Sequence, residues 1–423
     1  MPTELAPLRL EPGAPVRGMR VVRQPSPAGS ASFSATYLAP AGWGLDPPGF
    51  EGVARVVNHL VASGAGPWDR VELARRLDRL GATVGVETSP ESAEVTAWGP
   101  ADEWVPLMEI LREIVLRPRF DPGDVARARR QLRERQMREQ TYPAARAHAE
   151  LLRAIFPDHH PYHRTGVGNP RSLARLARPA LARFHRTHYG GDGALLVVTG
   201  PARLARVESE ARRLFSRLDE SSRAPVSVPR LPRGRRRRVE VDLPGNSQVE
   251  IRVGGPSVAA SAPEYPAGFL ANQVLGGRPL ISRLFQNVRE KGGLAYGASS
   301  RLETLRFGGW WTAGAGTGAD RWRKVVPMLE REVGRLRTER IGRSELTTIR
   351  ESAIGEIPLG IESTAEAHEL AVDATYHDLA PDFWLTWPKR LRAVSPGEIQ
   401  RSAATVFDPN RSVTVVVGPL ARP

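Results

Sequence analysis

The 423-residue sequence contains no cysteine, so disulfide bonds and thiolate metal sites are excluded. It also lacks an apolar run of about 18 residues, the length that a membrane-spanning helix needs. The first twenty residues show no apolar core behind a basic start, so we expect no signal peptide and a cytoplasmic location. Any metal ion would have to be bound by His, Asp or Glu side chains.

Lysine is almost absent as well, because Lys291, Lys324 and Lys389 are the only lysines and every other basic residue is arginine. The formal net charge is nevertheless +14. The arginines are spread along the chain among acidic residues, which is typical of a solvated surface and argues against nucleic-acid binding. One dense basic cluster, at residues 233–238, lies in a proline-rich stretch that we interpret as part of a linker.

The length of the chain favours two domains or more. Residues 219–238 are rich in Ser, Pro and Arg and lack helical periodicity, which predicts a linker between domains at 1–218 and 239–423. Both domains end in a helical stretch followed by a buried strand that Gly-Pro closes, at 194–201 and at 413–419. This repetition predicts an internal duplication.

The order of the predicted elements indicates the fold class. Strands are predicted at 18–22, 32–38 and 239–253, and amphipathic helices at 71–80, 105–116, 124–140, 172–188 and 395–406. Strands come first, helices follow, and a final strand closes each half. The sequence therefore predicts an α+β fold of tandem duplicated domains, each a mainly antiparallel sheet with helices on one face, in a clam-like chain.

Two segments carry the candidate chemistry. Residues 55–59 read Arg-Val-Val-Asn-His on a predicted helix, after the Gly-Val-Ala of residues 52–54. Residues 275–296 read Leu-Gly-Gly-Arg-Pro-Leu-Ile-Ser-Arg-Leu-Phe-Gln-Asn-Val-Arg-Glu-Lys-Gly-Gly-Leu-Ala-Tyr. With the segments 18–22, 80–91 and 156–162, they resemble the insulinase-like (pitrilysin) zinc metallopeptidase family, in its bacterial and mitochondrial-processing-peptidase-like branch. The resemblance spans about 18–419.

The resemblance implies a degenerate zinc motif in the first half. The family's H-x-x-E-H places two His one helical turn apart to bind zinc and a Glu to act as general base. Here the matching residues are Arg55, Asn58 and His59, so the resemblance implies no catalytic zinc in this chain. The family's later Glu ligand falls at Glu134 or Arg135, and Gly85 stands where active members tend to carry Asn.

The resemblance implies an intact second constellation. In this branch of the family an Arg and a Tyr of the C-terminal signature bind the substrate backbone and stabilise the oxyanion. The matching residues are Arg289 and Tyr296, which offer a charged fork and a hydroxyl donor. The alternative interpretation is an Arg in a surface ion pair and a packed Tyr.

Three functional hypotheses follow. The first is a non-catalytic subunit of a heterodimeric zinc metallopeptidase, without a cofactor of its own, that lines the chamber for an extended peptide and supplies Arg289 and Tyr296 in trans. Its partner would be a zinc-bearing sister subunit or a second copy of the chain. The second is a peptidase-derived binding or scaffold protein without a proteolytic role. The third is an independent hydrolase with a displaced metal at His185 and His188.

Overall fold

The computed structural model describes residues 10–27, 29–201, 206–219, 228–230, 236–359 and 362–420. Most of the predicted linker, with the first part of the basic cluster at 233–238, lies outside these residues. Within the described ranges, no helix combines the length and the apolar character needed to cross a bilayer.

Each half begins with strands and ends with a strand, as predicted, and further strands lie between the helices. The strands are β1 (Glu11–Pro12), β2 (Arg20–Pro25), β3 (Ser32–Ala39), β4 (Thr83–Thr88), β5 (Ala93–Pro100), β6 (Leu195–Gly200), β7 (Arg237–Asp242), β8 (Gln248–Ser257), β9 (Ala295–Leu305), β10 (Gly308–Gly318) and β11 (Val413–Gly418). The helices are α1 (Val53–Val61), α2 (Arg70–Arg79), α3 (Trp104–Leu116), α4 (Pro122–Thr141), α5 (Pro143–Ile155), α6 (Pro170–Arg175), α7 (Arg178–His188), α8 (Val207–Leu214), α9 (Tyr265–Asn272), α10 (Trp322–Thr338), α11 (Arg343–Leu359), α12 (Thr364–Tyr376), α13 (Phe383–Ala393) and α14 (Pro396–Val406).

The chain divides into two compact units. Unit 1 comprises residues 1–136, 166–227 and 357–386, and unit 2 comprises residues 137–165, 228–356 and 387–423. The units differ from the predicted halves, because residues 137–165 lie in unit 2 and residues 357–386 lie in unit 1. The sequence alone could not show which unit these residues join, because the sheet on which a helix packs its apolar face depends on the tertiary fold.

Unit 1 is built on a six-stranded sheet in the order β1-β2-β6-β3-β5-β4. Its pairs are antiparallel except for β2 with β6, which are parallel. The main core packs the sheet against the amphipathic helices α1, α3 and α7. Helix α12 contacts β2, β3 and β6, and a second, smaller apolar cluster joins Val22 and Val197 to Ala371 and Ala374.

Unit 2 is built on a five-stranded sheet in the order β7-β11-β8-β10-β9. Helix α5 packs on the sheet face that carries Trp310, where Leu151 and Val415 are fully buried. Helices α10 and α14 also contact the sheet, and Trp311 packs against Phe407 at 5.1 Å between ring centroids. The two tryptophans therefore face opposite sides of the sheet, as the alternation of side chains along a strand predicts.

The strand order of unit 2 repeats that of unit 1. Strands β7, β11, β8, β10 and β9 take the places of β2, β6, β3, β5 and β4, and the pair β7 with β11 is again parallel. The repetition confirms the predicted duplication and the predicted mainly antiparallel α+β layers. In each unit, one helix from the opposite half of the sequence packs on the sheet in addition to the predicted helices.

Two predicted elements are divided in the structure. The strand predicted at 239–253 is a pair of strands, β7 and β8, joined by a turn in which Gly245 has a φ of 83°. The helix predicted at 172–188 is α6 followed by α7. The break comes where Pro179 enters the first turn of α7, because proline lacks the N–H that a continuous helix would need there.

Candidate functional site

The degenerate motif lies on α1, a helix whose start is fixed by Asp46. The Asp46 carboxylate accepts hydrogen bonds from the backbone N–H groups of Gly52 and Ala54, at 2.6 and 2.9 Å, and so satisfies donors that the helix leaves free. Gly52 precedes the helix with a φ of 94°, a left-handed conformation that favours glycine. The helix therefore begins two residues before Arg55.

Arg55 is the residue that the resemblance matches to the first zinc ligand. Its guanidinium lies over the ring of Trp43, with Cζ 4.0 Å from the ring centroid. Gly166 packs against both side chains, since a Cβ there would lie 2.6 Å from Trp43 and 2.8 Å from Arg55. Arginine has no lone pair to donate, and its charge opposes a divalent cation.

Asn58, which the resemblance matches to the general base, is completely buried. Its amide Nδ2 donates hydrogen bonds to the carbonyl oxygen of Glu87, to Thr88 Oγ1 at 3.0 Å and to the carbonyl oxygen of Glu94 at 3.3 Å. Its Oδ1 accepts a hydrogen bond of 3.1 Å from the hydroxyl of Tyr189. The side chain that could have been a catalytic carboxylate is instead an amide that connects α1 to β4, β5 and α7.

His59 is the one residue of the motif that could ligate a metal. Its pKa is lowered, first because the ring is partly removed from water and next because the guanidinium of Arg135 lies near it. Arg135 is on α4, the helix that also carries the neighbouring charges of Asp124 and Arg127. Among the described residues, no group of three His, Cys, Asp or Glu side chains could hold a metal ion.

The donor set around α1 therefore does not fit zinc. The guanidinium of Arg55 is stacked on Trp43, and the amide of Asn58 already has its hydrogen-bond partners. Only the imidazole of His59, near the guanidinium of Arg135, offers a neutral nitrogen ligand. Zinc sites in proteins use three or four His, Cys or carboxylate ligands.

The second constellation begins on the helix that precedes β9. This helix covers residues 283–290 and has π-type hydrogen bonding over Phe285–Glu290. The guanidinium of Arg289 lies 4.6 Å from the ring centroid of Phe285, one helical turn earlier, and its side chain is exposed. No ion pair with Arg289 occurs among the described residues, so the interpretation as a surface ion pair does not hold there.

Tyr296 lies at a β-bulge at the start of β9. Gly316 pairs with Gly297 and Thr317 pairs with Ala295, so Tyr296 is the extra residue between two registered pairs. A bulge redirects the side chain of the unpaired residue. Tyr296 is 75% exposed, so the interpretation as a packed aromatic is wrong.

Two hydrogen bonds to backbone carbonyls hold the turn between Arg289 and Tyr296. Gly293 ends the helix with a φ of 59°, and its carbonyl accepts a hydrogen bond from Arg321 at 3.2 Å. The hydroxyl of Thr317 donates to the carbonyl of Leu294. These bonds fix the backbone that presents the two exposed side chains.

Comparison with known proteins decides the family. The sequence profile described as "Insulinase (Peptidase family M16)" matches residues 24–165, and the profile described as "Peptidase M16 inactive domain" matches residues 175–353. The chain belongs to the insulinase-like M16 family of peptidases. It is a non-catalytic homologue of that family, which agrees with the donor set on α1.

The relatives agree in sequence and in fold. An uncharacterized zinc protease of Rickettsia bellii is 23% identical over 80% of this chain and 81% of its own length, and one of Streptomyces coelicolor is 24% identical over 95% and 88%. The crystal structure of a peptidase M16 inactive domain from Pseudomonas fluorescens superimposes with a TM-score of 0.89 at 20% identity, covering 97% of this chain and 98% of that one. A protease from Helicobacter pylori gives a TM-score of 0.87 at 18% identity, covering 99% of this chain and all of that one.

The His185–His188 pair does not form a metal site in this M16 chain. Nε2 of His185 lies 2.8 Å from the carbonyl oxygen of Val115, and its ring stacks on Tyr189. Burial lowers the pKa of His185 to about 4. The ring is a neutral part of the core, and the hypothesis of an independent hydrolase loses its site.

Several contacts of the site have no counterpart in the sequence pattern. The Tyr189 hydroxyl stays protonated because burial raises its pKa well above the usual value, and so it can donate to Asn58. Trp43 covers Arg55 from twelve residues upstream. Neither partner has a characteristic spacing from the motif, so no signal in the sequence could have identified it.

Replacing Asn58 by alanine is expected to lower the free energy of unfolding by about 3 kcal/mol, because two carbonyl oxygens and a tyrosine hydroxyl lose their partner in the core. Asn58→Asp should cost at least as much, since a carboxylate would face the carbonyls of Glu87 and Glu94. Urea unfolding measures both. The control is Asn410→Ala at an exposed position, and a loss below about 1 kcal/mol for both Asn58 variants would contradict the prediction.

Proposed function

We propose that this chain is the non-catalytic subunit of a heterodimeric zinc metallopeptidase. It lines part of the peptide chamber and supplies Arg289 and Tyr296 to the active site of a zinc-bearing sister subunit of the same family. The chain itself holds no cofactor, and zinc is expected in the partner.

The observation that carries the proposal is the contrast between the two constellations. The motif on α1 keeps one possible ligand, His59, and has no general base, because Asn58 forms hydrogen bonds within the core. Arg289 and Tyr296 keep their residue types and stand exposed on an anchored turn. An exposed tyrosine at a bulge contributes little to stability, so a role toward a ligand accounts for it better than packing does.

The chemistry of the pair suits the proposed task. In the attack on a peptide bond, negative charge develops on the carbonyl oxygen, and preorganised donors aimed at that oxygen lower the barrier. The Arg289 guanidinium offers a charged planar fork, and the Tyr296 hydroxyl offers a neutral donor. Neither group needs to move a proton for this purpose.

Unit 1 contributes a substrate surface without a metal. The family's third-ligand position stays at Glu134 or Arg135, and the guanidinium of Arg135 acts on His59, which makes the surroundings of the motif more cationic. Strand β4 is the edge of its sheet, and an extended peptide could add to it through main-chain hydrogen bonds. A Cβ at Gly85 on this strand would lie 3.1 Å from Trp98, so the indole ring occupies the space of the family's Asn.

Reconstitution tests the proposal. A zinc-bearing M16 chain from the same genome is purified, and cleavage of a quenched fluorescent peptide is measured for each chain alone and for the mixture. Cleavage is expected only in the mixture, with zinc only in the sister chain. No gain in activity from a complex that forms would support the alternative, a scaffold without a proteolytic role. Stoichiometric zinc and cleavage in this chain alone would overturn the proposal.

A further inference from the structure

We propose that two copies of this chain associate through the outer edge of β7 in unit 2. The two β7 strands pair in antiparallel fashion about a two-fold axis at Val239. This pairing joins two five-stranded sheets into one sheet of ten strands. The inference goes beyond the proposed function and does not depend on it, because Arg289 and Tyr296 lie on other elements.

The internal duplication shows that the edge of β7 is uncovered. Strands β2 and β7 are equivalent, since each pairs in parallel with the closing strand of its sheet. In unit 1, β1 covers the outer edge of β2 by antiparallel pairing. Among the described residues of unit 2, β7 pairs with β11 alone. Residues 228–230, which precede β7 at the distance at which β1 precedes β2, form no strand.

The backbone of β7 offers hydrogen-bonding groups along this edge. The N–H of Arg237 points towards β11, where it donates to the carbonyl oxygen of Ser412 at 3.3 Å. Successive residues of a strand direct their backbone groups to alternate sides. The N–H and C=O groups of Arg238, Glu240 and Asp242 therefore point away from β11. An edge of this kind is a template for a further strand.

The sequence of β7 is charge-complementary to itself in antiparallel pairing. With Val239 opposite the partner's Val239, Arg238 lies opposite the partner's Glu240, and Arg236 lies opposite the partner's Asp242. A shift of the axis by one residue in either direction would put Arg238 or Glu240 opposite its own copy. Like charges that face each other across a strand pair are destabilising, so the charges select the register at Val239.

The backbone requires the same register. With the axis at Val239, Arg238 and the partner's Glu240 both direct their N–H and C=O groups into the pair and can exchange two hydrogen bonds. By symmetry, Glu240 and the partner's Arg238 exchange two more. Val239 and its copy then form the closely spaced pair without hydrogen bonds between them.

The side chains of β7 are placed for this contact. Arg238 Nε lies 2.8 Å from Glu240 Oε1, and each of the two side chains is 46% exposed. The guanidinium of Arg238 also lies over Trp322, with Cζ 5.5 Å from the ring centroid. On the other face, Val239 and Val241 pack against the apolar cluster beneath α5. The pairing therefore forms a group of four alternating charges on one face and continues an apolar row on the other.

Unit 1 shows the same recognition within the chain. Glu11 of β1 lies opposite Arg23 of β2, and Arg23 Nε donates a hydrogen bond of 2.7 Å to Glu11 Oε2. By the duplication, Glu240 takes the position of Arg23. An ion pair across this edge in unit 2 needs a cation opposite Glu240, and the partner's Arg238 supplies it.

Charges on an edge strand often prevent pairing, but the order of the charges in β7 does not. A row of one sign would repel a second copy. In β7 the arginines come first, at 236–238, and the carboxylates follow, at 240 and 242. Antiparallel pairing therefore brings each sign opposite the other.

Sedimentation velocity of the full-length chain tests the inference. We expect a monomer–dimer equilibrium with a Kd of about 10 μM, because a single strand pair is a small interface. Arg238→Glu and Glu240→Arg each place like charges opposite each other twice per dimer, and each should raise the Kd about 30-fold. A wild-type chain that remains monomeric at about 200 μM would overturn the inference.

A mixture of the two variants distinguishes β7 from any other surface. In a mixed dimer of Arg238→Glu with Glu240→Arg, each reversed charge again lies opposite the other sign. The equimolar mixture should therefore dimerise as the wild type does, although neither variant does so alone. The matched controls Glu351→Arg and Arg392→Glu reverse an exposed ion pair elsewhere in unit 2 and should dimerise normally. A mixture that stays monomeric would contradict the proposed register.

An introduced thiol locates the two-fold axis, because the sequence contains no cysteine. In Val239→Cys the two copies of the residue face each other with Cα atoms about 4.5 Å apart, within the range of a disulfide bond. Oxidation should therefore yield a covalent dimer on a non-reducing gel. Arg237→Cys on the same strand is the control, since its two copies lie four residues apart along the pair. Equal crosslinking of both variants would refute the axis at Val239.

Other occupants of the edge predict different results. If a segment of the chain itself covers β7, the wild-type chain is monomeric and the Val239→Cys chain does not crosslink. If the zinc-bearing sister subunit occupies the edge, the chain alone is monomeric and Glu240→Arg breaks the complex with the sister. Either result would overturn the inference.

Discussion

Tyr296→Phe is expected to lower the kcat of the reconstituted peptidase about 100-fold, with little change in KM, because removal of one oxyanion donor costs about that factor. The substitution deletes a hydroxyl from a side chain that is 75% exposed, so the fold should not respond. Arg289→Gln should lower kcat/KM by a similar factor and raise KM as well, since the guanidinium would also bind the substrate backbone. Steady-state cleavage of a quenched fluorescent peptide measures both effects.

The matched control is Tyr142→Phe. Tyr142 is a second exposed tyrosine of unit 2, at 53% exposure, and it precedes α5. Its hydroxyl has no part in the proposed chemistry, so activity should remain at the wild-type level. Equal activity of the Tyr296→Phe and wild-type complexes would show that the pair is vestigial, and the scaffold hypothesis would then gain support.

Acid is expected to destabilise the fold steeply between about pH 6 and pH 4.5. Burial lowers the pKa of His148 and His185 to about 4 and that of His368 to about 3. The unfolded chain takes up these protons near the ordinary pKa of 6.5, whereas the folded chain does so only near pH 4 or below. Stability therefore falls as the pH falls through this window.

One carboxyl group acts in the opposite direction. Burial and then the nearby Glu87 raise the pKa of Glu94 to about 7, so the folded chain holds that proton where the unfolded chain has lost it. This group gains stability as the pH falls from 7 towards 4.5. For these four groups, three histidines against one glutamate give a net uptake of two protons on unfolding, or about 3 kcal/mol per pH unit.

The variant His368→Gln tests the contribution of one of these three histidines. His368 lies between Thr36 and Thr199, whose hydroxyl oxygens are 2.7 and 2.8 Å from its two ring nitrogens. The variant should lose stability at pH 7 and halve the net pH slope, as measured by urea unfolding from pH 4.5 to 7. The control is His159→Gln, in an exposed loop. An unchanged slope in His368→Gln would contradict the prediction.

Much of the fold was readable from local patterns. The valine-rich strands β6 and β11 and the amphipathic helices α2, α3 and α4 follow their predicted limits within two residues. Such elements depend on periodicity and helix capping, which a short segment carries by itself. The signature 275–296 likewise contained the helix, the glycine stop at Gly293 and the start of β9.

Other features depended on residues distant in the sequence. Gly276 lies in the π-type helical turn Gln273–Gly277, and a Cβ there would collide with the backbone of Ser300. The bulge that exposes Tyr296 depends on the register between β9 and β10, which a single strand does not specify.

By itself, the sequence determined that α1 carries Arg55 and Asn58, which lack the lone pair of a zinc ligand and the basic carboxylate of a general base. It also determined the duplicated α+β plan. Only the tertiary structure decided that Asn58 is buried and connects α1 to the sheet, and that Tyr296 is exposed. It also decided that α5, from the first half of the sequence, packs in unit 2 and that α12, from the second half, packs in unit 1. The physical reason is that residue type sets which bonds a side chain can form, whereas packing sets which partners are within reach.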